Sequence, residues 1–339
     1  MNTVILDDYQ DVVRHLQCTR KLAGLPWKVY TNTVKGLGQL VIRLRDAEAL
    51  VLIRERTPIT RALLAQLPKL KFISQTGRMG SHIDLAACTQ QGIAVAEGAG
   101  SPIAPAELTW ALVMAGARRL PHYIDYLQQG VWQRNSLDKT GTGNDTERPP
   151  AFGLGVALHG RTLGIWGYGK IGQRIAAYGR AFGMRVCVWG SESSRQKAVQ
   201  DGFEAATSRE DFFANSDVLS LHLRLTETTR GIVTAQDLAR MRPTALLVNT
   251  SRAELIAPDA LLHALRQGRP GLAAIDVFES EPVAAGHPLL KLDNCICTPH
   301  IGYVEQDNYE LYFGAAFDNL LNFMQNRPSN IVNPEVLAR

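Results

Sequence analysis

Three segments of the chain place chemically capable side chains just beyond apolar, strand-like runs. Arg252 and Glu254 follow residues 245–249, Asp276 lies at the end of the run 273–277 with Glu281 beyond it, and His300 follows residues 295–298. Arginine offers a carboxylate a planar, two-pronged fork that lysine does not reproduce. Histidine can accept and return a proton near neutral pH, and a neighbouring glutamate favours its charged form. In open α/β sheets, ligands bind at the carboxyl ends of the strands, where all three segments lie.

A fourth segment is of a different kind. Gly167, Gly169 and Gly172 spell GxGxxG between an apolar run at 162–166 and a helical stretch at 170–182, with a second apolar run at 185–189. In that context Gly167 permits a tight turn, Gly169 lets the backbone approach a pyrophosphate, and Gly172 lets the helix pack on the strand. The free N–H groups at the helix start, around Lys170 and Ile171, then face the phosphates. A dinucleotide is the expected ligand.

Which dinucleotide is less determined. An acidic residue normally ends the second strand and holds the ribose 2′-hydroxyl. Here Gly190 stands in that place, followed by Ser191, Glu192, Ser193, Ser194 and Arg195. The serines and Arg195, with Arg224, suit a 2′-phosphate, whereas Glu192 would repel one. NAD or NADP is expected, with the balance inclining slightly to NADP.

Each residue also has a plainer reading. Arg252 alone could be a surface ion-pair partner, Glu281 a loop residue and Asp276 a turn cap. His222, inside a strand-like run, reads as structural. The argument for catalysis rests on Arg252, Glu281 and His300 occurring together at successive strand ends.

The elements that must position these groups alternate along the chain. Strand-like runs at 3–6, 28–31, 49–53, 72–75 and 93–96 are separated by helical patterns at 37–46, 61–66 and 85–91. A second series runs through 162–166, 185–189, 218–221, 245–249, 273–277 and 295–298. Alternating strands and helices imply crossover connections and parallel sheets. Residues 104–120 read as one buried connecting helix stopped by Pro121, and 303–324 as a long C-terminal helix. Ser208 with Asp211, and Thr234 with Asp237, have capping-box spacing, and Pro258 is placed to open a helix closed by Gly268. Residues 135–155 read as a long polar loop.

Composition sets the class. At 339 residues, with 45% hydrophobic and 20% charged residues, the chain has material for two globular domains. Lys and Arg number 36 against 32 Asp and Glu, without a run of like charge, so nucleic acid is not an expected partner. Five cysteines without a CxxC pair suit reduced thiols. The first ten residues lack a basic, apolar leader, and no apolar run reaches the ~20 residues of a membrane span. A cytoplasmic protein with neither membrane nor metal is expected.

Taken in order over essentially the whole chain, the glycine loop and the three later segments resemble the D-isomer-specific 2-hydroxyacid dehydrogenase family, which includes phosphoglycerate, glycerate and D-lactate dehydrogenases. The resemblance implies two doubly wound α/β domains. A flavodoxin-like catalytic domain would comprise residues 1–103 and 300–339. A Rossmann NAD(P)-binding domain, beginning with the connecting helix, would occupy 104–299. It implies that Arg252 binds the substrate carboxylate and orients the keto group, that His300 donates and accepts the proton, and that Glu281 pairs with His300. It further implies cofactor contacts from Asp276, from Thr109, and from the backbone of Thr250 and Ser251. The loop containing Gly77, Arg78 and Met79 would receive the substrate carboxylate, with Arg54 facing the substrate.

The implied activity is hydride transfer between NAD(P)H and a small 2-keto acid, giving a D-2-hydroxy acid, by a homodimer paired around residues 104–132. Glyoxylate and hydroxypyruvate are the favoured substrates. Arg78 and Met79 depart from the small residues usual in that loop, Glu281 in place of glutamine counts against formate oxidation, and no C-terminal regulatory domain is expected. Two alternatives stand: an NAD(H)-sensing, corepressor-like binding protein without physiological turnover, and an enzyme of the same fold acting on another oxidisable anion such as phosphite.

Overall fold

The computed structural model describes residues 1–133 and 153–338, so the polar loop expected at 135–155 falls almost wholly outside the described residues. The chain divides into two compact units, Met1–Ser101 with Val304–Arg339, and Pro102–Tyr303.

In the first unit, β1 (Thr3–Ile5), β2 (Trp27–Val29), β3 (Ala49–Leu52), β4 (Phe72–Gln75) and β5 (Ala94–Glu97) form a parallel sheet in the order β2-β1-β3-β4-β5. This is the flavodoxin-like order. The inner strands are buried on both faces because each face is covered. Leu50, Leu52, Ile73 and Val95 pack into one cluster with Leu44, Leu63 and Leu67. The Gln306–Met324 helix is tied to the sheet by Phe72 stacked on Phe323 at 4.5 Å and by the Ser74 hydroxyl donating to Ala316 O.

The second unit holds β6 (Thr162–Trp166), β7 (Arg185–Trp189), β8 (Glu204–Ala205), β9 (Val218–Leu221), β10 (Leu246–Asn249), β11 (Leu272–Ile275) and β12 (Cys295–Cys297). They form a parallel sheet ordered β12-β11-β10-β9-β6-β7-β8, the Rossmann order extended by one outer strand. β8 was not anticipated, because two residues carry no periodicity. Successive residues alternate between two cores, as strand geometry requires. Leu246, Val248, Leu272 and Ala274 enter one cluster, while Leu247, Ala273 and Ile275 enter the other.

Register is what gives the sheet a functional edge. Trp166 aligns with Leu221, Leu221 with Asn249, Asn249 with Ile275, and Ile275 with Cys297. The five strands therefore end level, and the segments beginning at Gly167, His222, Thr250, Asp276 and Thr298 leave the sheet along a single line.

Several local expectations need correction. The stretch read as one connecting helix is two helices, Ile103–Ala117 and Leu120–Gln128. Arg119, at φ +55°, turns the chain between them. Pro121 does not stop the first helix. It lies in the first turn of the second, where its missing N–H costs nothing. Pro258, by contrast, lies outside its helix, which spans Ala260–Arg266 after the left-handed Asp259. Thr234 and Asp237 form a complete capping box. At Ser208 only half is present, since the Asp211 carboxylate takes its bond from the Thr207 hydroxyl.

Candidate active site

The glycine loop is built as the spacing requires. Gly167 has φ +100°, and a Cβ there would lie 2.6 Å from His222 O, so both the turn and the neighbouring chain demand glycine. A Cβ on Gly172 would collide with Gly167 O, whereas one on Gly169 would meet nothing. Gly169 is the N-cap of the Lys170–Ala181 helix, and its exposed backbone opens onto free space at the helix start. An anion brought there meets unpaired N–H groups and the positive end of the helix dipole. The residues present thus fit a dinucleotide pyrophosphate.

At the end of β7, Gly190 has φ +152°, and Ser191 caps the Glu192–Gln200 helix by accepting from Ser194 N–H. The Ser191 hydroxyl also lies within 3.0 Å of Ser193 Oγ, and the Arg195 guanidinium stacks on Trp189 at 4.8 Å. Three hydroxyls and one cation therefore gather where an acidic residue would otherwise stand.

The turn after β10 is held from inside by a residue that sequence reasoning passed over. Asn249 is buried. Its amide donates to Arg252 O (2.8 Å), and its Oδ1 accepts from Ser251 N–H (3.0 Å). The Ser251 hydroxyl donates to Leu221 O at 2.7 Å. These bonds fix the backbone from Thr250 to Arg252. The Arg252 guanidinium donates to Ser251 O at 2.7 Å and remains half-buried. The available signal was an amide at the last position of an otherwise apolar strand.

Asp276 and Thr109 are both fully buried. Asp276 accepts from the Thr298 hydroxyl (2.7 Å), Ile301 N–H (2.9 Å) and Gly302 N–H (2.9 Å). Burial pushes its carboxyl up, opposed by those donors and by the nearby His300. Its visible role is to cap the turn that carries His300, which adopts φ +52°. The Thr109 hydroxyl lies 2.7 Å from both Pro105 O and Thr250 Oγ1, tying the connecting helix to the β10 turn.

His300 and Glu281 meet as the sequence suggested. Nδ1 of His300 lies 2.6 Å from Glu281 Oε2, while Glu281 Oε1 accepts from Phe278 N–H at 3.0 Å. The imidazole also stands edge-on to Tyr303, 5.6 Å between ring centres. Burial alone would raise the Glu281 carboxyl. The His300 hydrogen bond and charge, the Phe278 N–H and the Arg252 charge outweigh it and hold the carboxyl below the usual range. With Nδ1 committed to Glu281, Nε2 is the ring nitrogen left to exchange a proton with a ligand. His222 is structural: its ring lies 2.9 Å from Ser220 Oγ, and desolvation pushes it down to about 4.

The first unit carries the remaining candidates. Arg54 has φ +51°, donates its N–H to Thr76 Oγ1 at 3.0 Å and lies over the Tyr312 ring. Gly77, at φ +72°, packs against the Arg54 guanidinium, where a side chain would collide. Arg78 is exposed. Met79 donates its N–H to Glu97 Oε2 at 3.0 Å, and its half-buried side chain packs against the core of the first unit.

Known proteins resemble this chain along most of its length. Residues 110–302 match the model of the D-isomer specific 2-hydroxyacid dehydrogenase NAD binding domain. A glyoxylate reductase of Aeropyrum pernix is 38% identical over 301 residues, 88% of this chain and 86% of its own. Among solved structures, a phosphoglycerate oxidoreductase from Vibrio cholerae is 53% identical with a TM-score of 0.90, covering 96% of this chain and 99% of its own. A Ralstonia solanacearum oxidoreductase, provisionally described as a D-3-phosphoglycerate dehydrogenase, is 58% identical with a TM-score of 0.94, covering 99% and 98%.

Proposed function

This chain belongs to the D-isomer specific 2-hydroxyacid dehydrogenase family, and from that premise we propose that it reduces a small 2-keto acid to a D-2-hydroxy acid. The observation that carries the reading is the His300–Glu281 pair, 2.6 Å apart, at the same sheet edge as Arg252 and the glycine loop. Bound at that loop, a nicotinamide dinucleotide supplies the hydride.

The chain's own residues do the rest. Arg252, its backbone fixed by Asn249, pairs with the substrate carboxylate and orients the carbonyl. His300 Nε2 gives a proton to the carbonyl oxygen in reduction and takes it back in oxidation. Glu281 holds Nδ1, which sets the ring orientation. Asp276 and Thr109 position the His300 and Thr250 turns, beside the cofactor contacts expected of them. Arg54, Gly77, Arg78 and Met79 are the proposed substrate-facing groups of the first unit.

Glyoxylate and hydroxypyruvate are the favoured substrates, and a homodimer is the favoured assembly. Leu120, Ile124 and Leu127 leave an apolar stripe exposed on the second connecting helix, which suits pairing there. Gly190 with Ser191 and Arg195 inclines the cofactor choice towards NADP.

The test is oxidation of NADH and of NADPH, measured separately with glyoxylate, hydroxypyruvate, pyruvate and phenylpyruvate. Turnover with NADPH in excess of NADH is expected. Binding of either cofactor without any turnover would favour the corepressor-like alternative or a different oxidisable anion.

A further inference from the structure

Two residues of the outer strand β12 remain outside the proposed chemistry. Cys295 and Cys297 are separated by one residue, so their side chains leave the same face of the strand. Their sulfurs lie 3.6 Å apart, and both residues are half-buried with free thiols. Cys297 Sγ also lies 3.9 Å from Leu289 O.

From this geometry we propose that Cys295 and Cys297 form a modification site, which a small-molecule disulfide of the glutathione type converts reversibly into an intrastrand disulfide. The Cα atoms of residues i and i+2 on a strand are about 6.6 Å apart. That lies near the upper end of the usual disulfide range, so the bridge closes with strain and opens readily to reducing thiols.

The order of events follows from the two environments. The hydrogen bond from the Cys295 thiol holds Cys297 below the usual thiol range, against burial. Cys295 is held well above it, first by that bond and then by burial. By contrast, burial pushes Cys18 and Cys88 up to about 12 and Cys187 to about 11. Cys297 is therefore the attacking thiolate. It bonds to one sulfur of the small disulfide and expels the other half as a thiolate, which takes up a proton. The Cys295 sulfur, losing its own proton, then attacks Cys297 Sγ and expels the second half. Two protein thiols are oxidised by two electrons, and one disulfide is reduced to two thiols.

The site is coupled to the proposed catalytic turn by short connections. Thr298 follows Cys297 directly, its N–H donating to Ile275 O (2.9 Å) and its hydroxyl to Asp276. His300 N–H in turn donates to Thr298 O at 3.0 Å. Drawing the end of β12 together shifts this turn and moves His300 away from its working position. This effect on turnover rests on the function proposed above; the thiol chemistry does not.

The experiment treats the full chain with excess oxidised glutathione, then counts free thiols by alkylation and maps the peptides. The expected result is loss of two thiols, a Cys295–Cys297 link without retained glutathione, and recovery in dithiothreitol. Cys295→Ser should retain glutathione on Cys297, and Cys297→Ser should react roughly tenfold more slowly. Keto-acid reduction should fall several-fold on oxidation of the native chain and remain unchanged in the doubly substituted C295S/C297S chain. Both cysteines remaining free, or each retaining its own glutathione, would overturn the site whatever the enzyme's substrate. A formed link with unaltered turnover, or equal inhibition of the double variant, would overturn its coupling to His300.

Discussion

Nδ1 of His300 and Oε2 of Glu281 stand 2.6 Å apart, although the two residues lie on separate segments that follow β12 and β11. The pairing depends on the level ends of those strands and on the Asp276 cap, which fixes the turn between Thr298 and Gly302. It leaves His300 Nε2 as the proton-exchanging atom and Glu281 as its anchor.

Replacing His300 with glutamine keeps a polar side chain of similar reach but removes the proton donor. Turnover of keto acid should fall by about two to four orders of magnitude, the usual worth of a positioned acid or base. Dinucleotide affinity, measured by fluorescence titration, should change little. Unaltered turnover would remove His300 from the mechanism.

Acid stability should report the Glu281 pairing. The Glu281 carboxyl is lower in the folded chain than in the unfolded one. Its contribution is therefore fully present above the ordinary carboxylate range, near pH 4.5, and is lost as pH falls through the lower folded value. Glu281→Gln should be less stable than the native chain at pH 7, and the gap should narrow on acidification below about pH 4.5. A constant gap across denaturant titrations at both pH values would assign the stabilisation to packing.

Arg252→Lys keeps the charge and loses the fork. KM for the keto acid should rise by roughly tenfold or more, in line with loss of a charge-assisted hydrogen bond. The dissociation constant for dinucleotide should stay within about twofold. Equal losses in both would place Arg252 at the cofactor instead of the substrate.

Gly172→Ala tests the glycine loop through packing. The added methyl would meet Gly167 O inside the turn, forcing the helix off the strand. A loss of about 1–3 kcal/mol in denaturant unfolding is expected, with much weakened dinucleotide binding. At Gly169 the added methyl meets nothing in the protein, so Gly169→Ala should weaken binding with little change in stability.

The sequence by itself determined the alternation of strands and helices, the glycine loop, and the membership of Arg252, Glu281 and His300 in one group. Those features are local: an apolar run makes a buried strand, and a turn with φ +100° at Gly167 admits glycine almost alone. Tertiary structure decided which polar residues at the strand ends face outward and which face in. Thr109, Asn249 and Asp276 are of the same polar kinds as their neighbours, yet all three are buried, Thr109 and Asp276 as ties between segments far apart in the chain and Asn249 as the brace of its own turn. Met79, in a loop that the family resemblance assigns to the substrate, packs half-buried against the core of the first unit while Glu97, 18 residues away, holds its N–H. The pairing of Cys295 with Cys297 likewise needed the observed rotamers of two thiols on one strand face. Sequence spacing names the face, whereas packing from the opposite side decides whether a side chain on it reaches solvent.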